Sequence, residues 1–144
     1  MNQADLRRMT EERLRDARAL LAGGRWEFAY YTAGYSVECA LKSCVLARMI
    51  ETGWVFDEAN KKVDDCRTHS FGKLIEIAGL KEEREARLQA STSTGDEFAR
   101  HWGIVNLWEV TSRYESKTEI EAKTLFAAIT DEPDGVLRWI RKYW

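Results

Sequence analysis

Over residues 26–46 the apolar positions recur at spacings of three and four: Trp26, Ala29, Tyr30, Ala33, Val37, Ala40, Leu41, Cys44 and Val45. That period places them on one broad face of an α-helix. The face is wider than a helix lying on a surface needs, which predicts a central helix covered on most sides. The helix extends to Glu51 or Thr52, with Gly53 as its stop. Ahead of it, residues 3–21 form a first helix with a seam of Leu6, Met9, Leu14, Ala17, Leu20 and Leu21. Gly23-Gly24 ends it, and so short a link predicts an antiparallel αα-hairpin.

Downstream, residues 54–67 read mainly as a loop. A third helix is expected over 70–78, seamed by Phe71, Leu74, Ile75 and Ala78 and stopped by Gly79. Residues 81–89 predict a short exposed polar helix, and the STSTG stretch at 91–95 a mobile link. A fourth helix is expected over 96–113, capped by Asp96, with Phe98, Trp102, Val105, Trp108 and Thr111 inward. A fifth spans 117–130, with Ala122, Leu125, Phe126 and Ile129 inside. Residues 131–134 then read as an N-cap and an acidic first turn that tolerates Pro133. The chain resumes helical, with Val136, Trp139, Ile140 and Tyr143 on one side. One proline and few β-branched runs complete the expectation: an all-α antiparallel bundle of five to six helices, one domain over residues 1–144.

A compact chain of 144 residues buries roughly 70% of its unfolded surface, enough for a core without metals or disulfides. The net charge of −2 provides no global attraction to nucleic acid, so any such contact needs a local basic patch. Three cysteines argue against a disulfide framework. The charged residues 1–18 lack the apolar segment of a signal peptide, and no run reaches the ~20 apolar residues of a membrane span. A cytoplasmic location with no membrane partner is the expectation.

Candidate chemistry is sparse. Cys66-x-x-His69 supplies two ligands where zinc needs three or four, Cys39 and Cys44 do not share a helix face, and His101 has no cysteine nearby. No metal and no cofactor are expected; the cysteines read as small hydrophobes. No glycine-framed serine or phosphate-binding glycine loop occurs, and a Cys66/His69 dyad rests on local spacing alone. Most aromatics sit at helical spacing beside aliphatics, which favours core packing over base stacking. On the first helix Arg7, Arg8, Arg13, Arg15 and Arg18 interleave with Asp5, Glu11, Glu12 and Asp16. The plain reading is a solvated face with internal ion pairs; the sharper one is an arginine stripe facing RNA.

One polar set remains: Tyr35, Glu38 and Lys42 on the second helix, His69 before the third, and Arg113 with Tyr114 at the end of the fourth. Glu38 and Lys42 stand four apart in the favourable order. These groups either form a buried network that fixes helix register or converge on a cleft for a phosphate-bearing ligand, with Arg113 as its fork.

AYYTAGYSVECALKSCV, then HSFGKLIEIAGL, then Trp102, Trp108, Arg113 and Tyr114 spaced as W-x5-W-x4-RY, then DGVLRWIRKYW, resemble prokaryotic HEPN-domain proteins. The resemblance implies a helical bundle, a homodimer, and a role in toxin–antitoxin, defence or RNA-processing systems, where some members pair with a small nucleotidyltransferase. Its ribonuclease branch uses an arginine followed after four to six residues by a histidine. Here Arg113 meets Thr118, Glu119 or Ile120, and His101 is preceded at those distances by Thr94, Gly95 and Asp96. His69 is preceded by Lys62, Val63 and Asp64. The motif is absent, so the resemblance implies a non-catalytic module that binds a partner protein, a nucleotide or RNA through Tyr35, Glu38, Lys42, His69, Arg113 and Tyr114. The alternative is a metal-independent endoribonuclease using His69 and Arg113.

Overall fold

In a computed structural model the chain is described at residues 1–53 and 64–144. Seven α-helices make up these residues, with no strand among them: α1 (Gln3–Ala22), α2 (Trp26–Thr52), α3 (Phe71–Ile77), α4 (Lys81–Thr94), α5 (Phe98–Val105), α6 (Glu119–Thr130) and α7 (Val136–Ile140). Two 3-10 turns, Asp64–Arg67 and Val110–Tyr114, complete the set. The described residues are all-helical, one helix beyond the expected range.

α1 starts at a capping box in which Asn2 and Asp5 each accept the other's backbone N–H. It ends where Gly24 takes φ +70° and the N–H groups of Gly24 and Arg25 return to the carbonyls of Leu21 and Leu20. This 6→1 and 5→2 pair closes the helix and turns the chain back, so α2 lies along α1 as its antiparallel partner. α3, α6, α7 and the turn at 110–114 pack on the remaining sides of α2. Ala33, Val37, Ala40 and Leu41 are accordingly buried, the centre of one core that also holds Leu74, Phe98, Leu125 and Ile140.

Four expectations fail for local reasons. Residues 91–94 are helical, and Gly95 ends α4 at φ +73°. Thr92 and Thr94 donate their hydroxyls to the Leu88 and Ala90 carbonyls, the i−4 partners a helix offers, so hydroxyl-rich composition does not break it. Nor is α4 wholly exposed, since Arg84 and Arg87 lie 5.7 and 4.4 Å over the rings of Trp102 and Phe98. The helix expected over 96–113 stops at Val105; the chain turns so that Trp108 is buried, and Thr111 is exposed instead of inward. Residues 131–134 form no helical turn: Gly135 holds the N-cap position of α7, and Pro133 follows a cis peptide bond in the preceding turn. Of the loop expected at 54–67, residues 54–63 lie outside the described residues and 64–67 form the first 3-10 turn.

Asp96 ties α4, α5 and the 131–134 turn together. It accepts the Ser91 hydroxyl at 2.5 Å, the Phe98 N–H at 3.0 Å and Arg87 at 3.0 Å, and Arg87 reaches on to Asp134. The Ser91 bond first, then those from Phe98 and Arg87, lower the Asp96 carboxyl to about 2. A depressed carboxyl contributes stability above its unfolded value of 3.8, and that contribution is lost as pH falls through about 2. Thermal unfolding should therefore show a shallower loss of Tm across that window in Asp96→Asn than in the wild type. Equal slopes would remove Asp96 as the acid-sensitive tie.

Candidate functional site

Residues Phe28, Tyr31, Tyr35, Glu38 and Lys42 follow one another at three- and four-residue steps and so share one stripe of α2. Midway along it, Gly34 leaves room for the Trp108 indole. The indole stacks on Phe71 at 5.1 Å and on Tyr31 at 5.9 Å, and Tyr31 stacks on Tyr35 at 6.1 Å. This aromatic series divides the stripe into two parts.

On one part, Glu38 is 2% exposed, and its Oε1 accepts both the Lys42 ammonium and the His69 Nδ1–H at 2.9 Å. An ionised carboxylate has no proton to give, so the Nδ1 hydrogen belongs to the imidazole. That leaves His69 Nε2 without a hydrogen-bond partner among the described residues, on a side chain that is 50% exposed. Glu38 Oε2 is buried with no hydrogen-bond partner among the described residues, as is Trp108 Nε1. His69, Ser70, Phe71, Asn106, Trp108 and Thr111 line a recess of about 500 Å³, with Glu109 beside it. Ser70 holds His69 at its edge by capping α3 through the Lys73 N–H.

On the other part, Arg13, Arg25, Phe28, Tyr31 and Tyr35 line a groove of about 610 Å³. Burial pushes the Tyr35 phenol up. The Tyr114 phenol, followed by that of Tyr31, holds Arg113 more firmly protonated, and its guanidinium lies 4.8 Å over the Tyr114 ring. Arg113 and Tyr114 are exposed.

The structure thus brings Glu38, Lys42 and His69 together and places Tyr35, Arg113 and Tyr114 by the Tyr31 ring. Among the described residues no hydrogen bond or ion pair joins Arg113 to Glu38 or His69. Sequence reasoning missed Tyr31, Gly34, Asn106 and Glu109. The signal for Gly34 was a glycine inside an otherwise strong helix. Asn106 and Glu109 were hidden because the pattern ran helically through them. Burial raises the thiols of Cys39 to about 11 and Cys44 to about 12, and burial followed by Asp65 raises that of Cys66, each away from the thiolate form. Among the described residues, no helix is long and apolar enough to cross a membrane, and no group of three or more His, Cys, Asp or Glu is placed to hold a metal ion.

No curated protein and no solved structure matches the chain. His69, Arg113 and Tyr114 lie beyond the stretch for which a family match exists. Residues 3–57, which include all of α1 and α2, match the family model of the HEPN domain, so the hairpin that carries Tyr35, Glu38 and Lys42 is HEPN-like.

Proposed function

We propose that this protein is a non-catalytic HEPN-type module that binds RNA or a nucleotide at the Glu38–Lys42–His69 end of the α2 stripe, in a toxin–antitoxin or defence setting. The observation that carries this reading is the buried Glu38 carboxylate, whose Oε1 holds the partly exposed Lys42 ammonium and the half-exposed His69 ring side by side, each at 2.9 Å. Lys42 and the outward edge of His69 suit a phosphate group. The family resemblance adds a second copy of the chain and a small nucleotidyltransferase as protein partners.

His69→Ala is expected to weaken binding of a short single-stranded RNA about tenfold, the loss of one hydrogen bond of ~1.4 kcal/mol. Fluorescence anisotropy reads this, with thermal unfolding to show the variant folded; wild-type affinity would refute the site. The Glu38–His69 pair also supports a second reading. A carboxylate that orients an imidazole leaves Nε2 free to act as a general base on a ribose hydroxyl. RNA cleavage in EDTA by the wild type, lost in His69→Ala, would establish that alternative; loss in Arg113→Ala as well would be needed to make Arg113 its phosphate contact. Binding without cleavage supports the module.

A further inference from the structure

The arginines of α1 divide between two sides of the helix. Arg8 pairs with Asp5 and Glu12, Arg13 pairs with Asp16, and Arg7 donates to the Trp144 carbonyl. Arg15 and Arg18 have no ion pair among the described residues. At 100° per residue they lie opposite Arg13, away from the α2 groove. Both line a recess of about 230 Å³ where α1 meets the end of α6 and α7, and Arg138 and Arg141 enter the same recess from α7. Its two carboxylates are already engaged, Glu132 with Arg138 and Glu11 with Arg141. Four guanidiniums therefore face two carboxylates in a chain whose net charge is −2. Leu14, Ile129 and Leu137 supply an apolar floor. Such a floor strengthens the field above it, and Arg18 is steadied 5.8 Å over the Phe126 ring.

We propose that this recess binds phosphate oxyanions. Unpaired guanidiniums gathered over apolar walls repel one another until an anion bridges them, and their planar forks match phosphate oxygens two at a time. The exposed Arg138–Glu132 pair is weak enough to exchange its carboxylate for a phosphate, and the Arg141–Glu11 pair beside it is only part-buried. The phosphate can belong to a polyphosphate or to an RNA backbone.

Phenylglyoxal modification of the whole protein, mapped by peptide mass spectrometry, distinguishes the two sources. Pyrophosphate or a 12-nucleotide single-stranded RNA is expected to protect Arg15 and Arg18 beyond the effect of sodium chloride at equal ionic strength. Protection by pyrophosphate assigns polyphosphates; protection by RNA alone assigns the backbone. Arg15→Gln with Arg18→Gln, both on the surface, is expected to weaken binding of the protecting probe tenfold or more. With the single-stranded RNA as the probe, the slope of log affinity against log salt should also fall by about 1.4. Protection no greater than that of sodium chloride, or unchanged affinity in the double variant, overturns the assignment. This test shares no residue with His69→Ala, so either site can fail alone.

Discussion

Gly34→Ala is expected to destabilise the protein by ~2 kcal/mol or more, although alanine is the better helix former. Propensity alone favours the substitution by ~1 kcal/mol. Against it, a Cβ at position 34 would stand 2.2 Å from Cδ1 and Nε1 of Trp108. That ring is 4% exposed and held between Phe71 and Tyr31, so it has no free direction in which to swing. Overpacking of this kind costs ~1–3 kcal/mol and occasionally more, and here it displaces a ring that other rings fix. Because Trp108 also lines the recess beside His69, RNA affinity should fall together with Tm. A rise in Tm would show that α2 and the 106–111 segment do not meet as described.

The second large effect is expected at Lys42. Lys42→Met leaves the Glu38 carboxylate buried with only a half-exposed imidazole for company. Removing one member of a buried pair costs ~3–5 kcal/mol; with His69 still in place the loss should sit near ~3 kcal/mol, about 10 °C in Tm for a chain of this size. Glu38→Leu combined with Lys42→Met should recover most of that stability, since an apolar pair of similar volume commonly replaces a buried ion pair without loss. Ligand binding should not recover. A double variant as unstable as the single one would mean that the carboxylate is held by something other than its charge partners. Recovered binding would mean that Glu38 serves register alone.

These outcomes bear on how much the chain discloses before it folds. Glu38 and Lys42 were legible as a pair because their spacing is a property of one helix. His69 was legible only as a candidate: 31 residues separate it from Glu38, and nothing local states that the start of α3 returns to the middle of α2. Arg113 was legible as a cation, but its neighbours proved to be Tyr31 and Tyr114 instead of the carboxylate. Trp102, Val105 and Trp108 continue a helical period past the point where the helix stops, because burying an indole at Gly34 satisfies the same apolar pattern without helical backbone.

The sequence by itself determined the helical hairpin, its glycine stops and the apolar stripe of α2, since each depends on contacts within a few residues. It also determined which side chains carried charge. Only the tertiary structure decided which charges met. It placed Glu38 beside His69, left one carboxylate oxygen buried without a partner among the described residues, and gathered arginines from α1 and α7 over one apolar floor. The physical reason is range. Helices follow from local hydrogen bonds and periodicity, whereas a site is set by how helices far apart in the chain pack, and that packing is chosen by the shape of the whole core.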